Sequence, residues 1–350
     1  MESKPNSPRV SLRDIGKLLG VSHVTVSLAL KNNTRISAEV RQKVQQTAVE
    51  LGYQPDPMLA ALAQYRKGKA TAPISAAIAW VNSWQPPEKL RQHKEFDAYW
   101  VGACKAAAKF GYRLEEFQMG ENMSPERLNQ ILTARGITGI LLPPQKQEPE
   151  WGNFPWENYS AVRFGRSLKT PRTHLVTADQ VSNTILAFEE MQARGYKRIG
   201  FVTNEVNIAR GHLFEAGYLI AQRTVDLKQR LAVLDFTELE YAPREIRQKG
   251  FLTWFKKNRP DAIFTDVAAL RELVKAVGLR VPQDVALACT TVLDTSVDAG
   301  IDQHPEEIGR VGFLMLNSLI NDGSRGIPKI FRQNLVEGSW VNGRTMPPKG

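Results

Sequence analysis

From Ile74 onward the chain alternates short apolar runs with amphipathic helical stretches, and that rhythm admits few folds. "ISAAIAWV" has the length and apolar content of a buried strand, and "EFDAYWVGACKAAAKFGY" keeps helical periodicity up to Gly111. "RLEEFQM", a helical stretch from about Ser124 to Arg135, and "ITGILLP" repeat the pattern. "YSAVRFG", "THLVTAD", a helix over 181–194, "RIGFVT", "DAIFTD", a helix ending at Gly278 and "DVALACT" extend it. Apolar strands alternating with helices specify parallel sheets covered by helices. Two such series predict two α/β subdomains with a cleft between them.

The first sixty-five residues follow another rule. Ser11 and Asp14 fit a capping box, with Leu12, Ile15, Leu18 and Leu19 as one apolar stripe and Gly20 as the stop. Ser22 caps a second helix from about His23 to Leu30. Val26, Ala29 and Leu30 face its core, and His23, Val24, Ser27 and Leu28 face out. Ser37 caps a third helix, whose buried stripe is Val40, Val44, Ala48 and Leu51, with Gly52 as its stop. Two helices joined by a tight Gly-containing turn and braced by a third form a helix-turn-helix. Such a unit must offer short side chains, hydroxyls and basic groups to a duplex.

Charge agrees with that reading. Residues 1–70 hold 11 basic and 5 acidic side chains, so one fifth of the chain carries six of the formal +10 charges. A polyanion is the expected partner of that end. The N-terminus has no apolar signal segment, and no later run is long and uncharged enough to span a membrane. Cys104 and Cys289 lie in apolar surroundings and read as buried free thiols. A cytoplasmic protein without membrane contact is expected.

The stretch "VSLRDIGKLLGVSHVTVSLALKNNTRISAEVRQKVQQTAVELGYQPDPMLAAL" resembles the DNA-binding headpiece of the lactose/galactose-repressor (LacI/GalR) family. The shared pattern is D-I-G, GVS-x-x-TVS, I-S-x-x-x-R-x-K-V and ELGY-x-P. The resemblance implies phosphate contacts from Ser22, Thr25, Ser27, Lys31, Arg35 and Ser37, and base contacts in the major groove from His23, Val24 and Leu28. Leu28 stands where the family most often has an arginine that reads guanine. Leucine offers only apolar contact, for instance to a thymine methyl, unless a one-position slip in helix phase puts it in the core. In "DPMLAALAQYRKGK", Asp56 and Pro57 can start a short helix, marginal in water by itself. The resemblance makes it a hinge helix that orders when two copies meet in the minor groove, through Leu59 and Leu62. A linker helix packed on its own headpiece is the alternative. Symmetric half-sites require a homodimer.

Farther on, "ARGITGILLPP", "MQARGYKRIGFVT", "VGLRVPQDVAL" and "IDQHPEEIGRVGFLML" resemble the family's periplasmic-binding-protein-like regulatory domain, two Rossmann-like subdomains with parallel sheets. The implied organisation is a flexible basic tail over 1–10, a headpiece over 11–55, hinge helix and linker over 56–73, and an effector-binding and dimerisation domain over 74–345. Its first subdomain takes about 74–165 plus 304–325, and its second about 166–303 plus 326–345.

Ligands of open α/β sheets bind beyond the carboxyl ends of strands. That rule selects Asn82, Trp84, Arg166, Asp179, Asn204, Arg210, Asp266 and Asp294 as effector contacts, the effector being by resemblance a sugar or sugar derivative. Sugar-binding relatives usually carry an arginine three residues before a Gly-aromatic pair; here Phe214 precedes Gly217-Tyr218, with Arg210 a turn earlier. The long first loop, with Pro86-Pro87, is a candidate lid. No Gly-x-Gly-x-x-Gly, Gly-Lys-Ser/Thr, Gly-x-Ser-x-Gly or His-Glu-x-x-His motif occurs, and the five histidines lack metal-ligand spacing. Neither catalysis, a metal nor a cofactor is expected. The reading is a ligand-responsive repressor of a palindromic DNA operator. An activator or corepressor-dependent regulator of the same fold, or a solute receptor without DNA function, stands as the alternative.

Overall fold

A computed structural model of the chain describes residues 10–30, 33, 35–51, 53, 76–120, 123–205 and 210–349. The chain divides into two compact units, Met1–Ala72 and Pro73–Gly350. The expected basic tail, except Val10, and the hinge segment 56–73 lie outside the described residues.

The first unit contains α1 (Leu12–Leu19), α2 (His23–Leu30) and α3 (Ala38–Glu50). Both bonds of the capping box form: Ser11 Oγ accepts from the Asp14 amide at 3.4 Å, and Asp14 Oδ2 accepts from the Ser11 amide at 2.8 Å. The Ser11 hydroxyl, donating to Asp14 Oδ2 at 2.6 Å, and then the Ser11 amide hold the Asp14 carboxyl below its ordinary pKa. Gly20 takes a left-handed conformation at φ 66° and ends α1. Gly16 is required by close approach, since a Cβ there would lie 2.7 Å from the Val21 carbonyl oxygen. Ile15, Val26, Ala29, Val44 and Ala48 form the core, with Leu12, Leu19, Leu30, Val40 and Tyr53 packed around it.

Two expectations fail here. Leu18 is 67% exposed. The stripe is Leu12, Ile15, Gly16 and Leu19, and a residue one step before Leu19 points about 100° away from it. Leu51 is also exposed. The Tyr53 amide turns back to the Ala48 carbonyl at 2.8 Å, and Tyr53 rather than Leu51 covers that end of the core.

The second unit holds two six-stranded sheets. Strands β1 (Ala76–Asn82), β2 (Tyr112–Gln118), β3 (Gly139–Leu142), β4 (Ser160–Phe164) and β5 (His174–Ala178) lie in the first. Strands β6 (Ile199–Thr203), β7 (Leu234–Asp235), β8 (Ala262–Thr265), β9 (Ala286–Cys289) and β10 (Gly300–Asp302) lie in the second. Then β11 (Gln333–Val336) returns to the first sheet and β12 (Ser339–Val341) to the second. The orders are β11-β5-β4-β3-β1-β2 and β12-β10-β9-β8-β6-β7, parallel throughout except for the β10–β12 pair.

Helices α4 (Glu88–Gln92), α5 (Lys94–Lys109) and α6 (Pro125–Ala134) cover the first sheet. Helices α7 (Gln180–Ala193), α8 (Leu213–Ala221), α9 (Thr237–Glu240), α10 (Arg244–Asn258) and α11 (Leu270–Ala276) pack on the second. Helix α12 (Pro305–Asn321) returns to the first sheet beside α5. The central strands β3, β4, β5, β6, β8 and β9 are therefore buried on both faces, which is why they read as continuous apolar runs.

The expected divides at 165/166 and 325/326 are displaced. Strand β5 pairs with β4 in the register Val162↔His174, and β11 pairs with β5, so both belong to the first subdomain. The loop 165–173 connects strands of one sheet rather than two subdomains. The chain crosses between the sheets three times, after Ala178, after Asp302 and after Val336. The first and third crossings are tied together. The Asp179 amide donates to the Val336 carbonyl at 2.9 Å, and the Gly338 amide donates to Asn183 Oδ1 at 2.7 Å. No helix among the described residues is long and apolar enough to cross a membrane.

Candidate nucleic-acid interface and ligand cleft

In the first unit the core takes Val26 and Ala29 of α2 and leaves the opposite face outward. His23 is exposed and Val24 is 53% exposed, while Leu28 is half-buried and outside the core cluster. Ser22 and Thr25 are linked by their hydroxyls at 2.9 Å, and Ser22 Oγ accepts from the Thr25 amide at 3.0 Å, capping α2. Ser37 caps α3 by accepting from the Val40 amide at 3.4 Å. Arg35 is exposed, its amide held by Asn33 Oδ1 at 3.0 Å. Ser27 is half-buried. The structure thus leaves two apolar side chains and an imidazole on one helix face, with hydroxyls and a guanidinium at its margins. Lys31, Leu59 and Leu62 lie outside the described residues.

In the second unit a cavity of about 1210 Å³ opens at the carboxyl ends of both sheets. Trp84, Arg166, Arg210, Asp266 and Asp294 border it. Asn82, Asp179 and Asn204 do not, and backbone chemistry explains two of these. Asn82 accepts from the Trp84 amide at 2.9 Å and donates to the Pro87 carbonyl at 2.9 Å and to Glu116 at 2.7 Å, so it shapes the loop that carries Trp84. Asp179 caps α7 through the Ser182 amide at 3.0 Å and hydroxyl at 2.8 Å. Asn204 is buried off the lining. The loop expected as a lid is folded down instead, with Leu90 of α4 fully buried and Trp84 Nε1 donating to the Pro144 carbonyl at 2.8 Å.

The reading from strand ends misses one wall altogether. His93, Phe96 and Tyr99, at the start of α5, join Trp84 in an aromatic chain with ring centroids 5.3, 5.2 and 6.0 Å apart in turn. Their i, i+3, i+6 spacing was the available signal, but the same spacing describes any core-facing helix. Tyr99 donates to Glu95 Oε1 at 3.0 Å; burial above all, then the neighbouring Glu95 charge, pushes its pKa well up.

The facing wall is polar. Arg210 lays its guanidinium over the Phe214 ring at 5.3 Å, so the turn separating these two residues brings the charge to the cavity. Burial pushes the Asp266 carboxyl up to about 7, against the opposing Arg210 charge and a 2.9 Å bond from Thr203 Oγ1. Asp294, in a left-handed conformation at φ 55°, accepts from the Glu95 amide at 3.4 Å across the cleft. Cys289 also borders the cavity; burial raises its thiol to about 12, so it is an inert thiol at neutral pH. Cys104, expected to be buried, is only half-buried. Four lining residues keep a buried polar atom without a partner: Arg166 Nε, Gln180 Oε1, Asp266 Oδ1 and Thr237 Oγ1. Unsatisfied buried polar atoms are costly, and donors and acceptors together suit a ligand rich in polar groups.

Residues 11–56 match the bacterial regulatory proteins of the lacI family, and residues 188–344 match the periplasmic binding protein-like domain. The HTH-type transcriptional repressor CytR of Escherichia coli (strain K12) is 26% identical over 334 residues, covering 90% of this chain and 91% of that protein. The HTH-type transcriptional regulator MalR of Streptococcus pneumoniae serotype 4 is 25% identical over 338 residues, covering 93% and 97%. Among solved structures, the transcriptional regulator CelR–cellobiose complex superposes with a TM-score of 0.57 at 20% identity, covering 96% of this chain and 100% of the other. The lac repressor dimer bound to operator and the anti-inducer ONPF gives 0.52 at 17% identity, covering 97% and 99%. At these identities the structural likenesses establish the fold, a helix-turn-helix unit followed by two parallel-sheet subdomains. The chain thus combines the DNA-binding unit of the lacI family with a periplasmic binding protein-like domain, the make-up of a LacI-family DNA-binding transcriptional regulator.

Proposed function

We propose that the protein is a cytoplasmic repressor that binds a palindromic operator as a homodimer and answers to a sugar-like effector in its cleft. The carrying observation is the outward face of α2, where His23, Val24 and Leu28 are spared by a core that takes only Val26 and Ala29. In this reading those three touch base edges, and Ser22, Thr25, Ser27, Lys31, Arg35 and Ser37 touch phosphates. Leu59 and Leu62 enter the minor groove. Supporting the effector, an aromatic wall faces unpartnered donors and acceptors, an arrangement that suits the apolar face and hydroxyl edge of a sugar ring. A relative's structure holds cellobiose, and another holds operator DNA as a dimer. Effector binding would favour one arrangement of the two subdomains and so change operator affinity.

Selection of bound fragments from a random DNA pool tests this. The expected result is a two-fold symmetric consensus whose affinity falls linearly in log–log form with salt, because phosphate contacts release counterions. A pool that shows no enrichment even at low salt would sink the reading.

A further inference from the structure

Beside the cleft the first subdomain gathers Arg163, Arg166 and Arg172, none of which forms an ion pair among the described residues. Arg163 stands on β4 and is 93% buried, being 7% exposed. Its guanidinium donates to the Leu168 carbonyl, while its buried Nε has no partner. Arg166, three residues on, borders the cavity; it donates to Gln333 at 2.8 Å, and its Nε too is buried and unpartnered. Arg163 and Arg172 flank the Phe331 ring at 5.5 and 4.9 Å. Burial, then the charges of Arg166 and Arg172, pull the Arg163 pKa down to about 10, and burial with the Arg332 charge lowers that of His174. In both cases burial leads and the neighbouring cations add to it.

The nearby carboxylates are bonded to backbone amides rather than to these guanidinium groups, and their charges act on the cluster only at a distance. Glu148, the one that acts on Arg163, accepts from the Lys169 amide at 2.6 Å. Asp179, the one that acts on Arg166, is held by the Ser182 cap. A buried guanidinium such as that of Arg163, without a close ion-pair partner, is costly to hold. An arrangement of this kind persists where an anion completes it, and Arg is the side chain whose fork matches carboxylate and phosphate.

We propose that the ligand of this cleft carries an oxyanion, a phosphate ester or a carboxylate, seated against Arg166 and reinforced by the positive charges of Arg163 and Arg172. This rests on the cleft being the effector site and adds the ligand's charge class. The site is for a small molecule rather than a duplex, because Arg163 lies within the sheet and Arg166 faces the cavity.

The test is thermal unfolding of the full chain with inorganic phosphate against sodium chloride at equal ionic strength. Matched compounds follow: glucose, glucose 6-phosphate and gluconate. Phosphate at ten times its Kd should raise the Tm by about 2–4 °C. The shift should vanish in Arg166→Gln, whose cooperative melt without added anion shows that it folds. Stabilisation by glucose 6-phosphate alone assigns a phosphate ester, by gluconate alone a carboxylate, and by inorganic phosphate alone the free ion. No shift with any anion, or an equal shift in Arg166→Gln, overturns the proposal. A neutral sugar bound equally by wild type and Arg166→Gln would overturn it too, while leaving the cleft as the effector site. Loss of operator binding by the wild type would fail the regulator reading separately.

Discussion

Among the described residues, the headpiece keeps five side chains as its core, whereas each sheet of the large unit lies between two clusters of 12 to 17. The headpiece satisfies its polar groups locally, through the caps at Ser11, Ser22 and Ser37, and turns its spare side chains outward. The large unit does the reverse. Its apolar core is redundant, and it leaves polar atoms unsatisfied inside a cavity. The contrast teaches that recognition by surface leaves little material for stability, while recognition by enclosure needs a scaffold able to carry unpaired groups. The substitutions below can break or sharpen that contrast.

The largest effect is expected for Ile15→Ala. Truncating a fully buried isoleucine costs about 2–5 kcal/mol, enough to unfold a unit with so small a core. Operator binding should be lost while the calorimetric transition of the large unit stays in place; a parallel fall in that transition would break the division into two units.

Asp266 comes next. Its native pKa, raised by burial to about 7, lies above its unfolded value, so the native state keeps a proton that the unfolded chain releases. Stability of the large unit should therefore decline as pH rises from about 4 to about 7, then level off. The size is on the order of a few kcal/mol. Asp266→Asn should flatten that slope in melts at pH 5 and pH 8, and an unchanged slope would place the titration elsewhere.

Removing a cap is smaller. Ser11→Ala should cost the headpiece about 1 kcal/mol, read by chemical denaturation followed by helical circular dichroism. A loss within error would mean the small unit does not depend on its caps.

Smallest in stability is Leu28→Ala, within about 0.5 kcal/mol because Leu28 is outside the core cluster. Its effect should fall on base preference at one position of each half-site, seen by repeating the selection. A Tm drop of several degrees instead would return Leu28 to the core.

How much of this was legible in the sequence differed between the regions for physical reasons. Caps, a left-handed glycine and a 3.6-residue stripe are local signals, and in the headpiece local signals decide nearly everything. Only Leu18 and Leu51 misled, because a hydrophobic residue at a helix flank has the same composition as one in the core. Strand-end position found Trp84, Arg166, Arg210, Asp266 and Asp294 at the cavity, since parallel sheets open there. It could not separate them from Asn82 and Asp179, whose side chains are consumed by neighbouring amides. The aromatic wall from α5 and the strands β11 and β12 were illegible for another reason. Their placement depends on partners distant in sequence, and the mostly exposed "QNLV" of β11 lacks an apolar run.

The ties between the first and third crossings have a mechanical consequence. Two adjacent strips of backbone, stitched at Asp179–Val336 and at Asn183–Gly338, cannot slide past each other without breaking those bonds. They can bend together at no such cost. A rocking of the two lobes about the stitched edge is thus the movement that keeps both bonds intact.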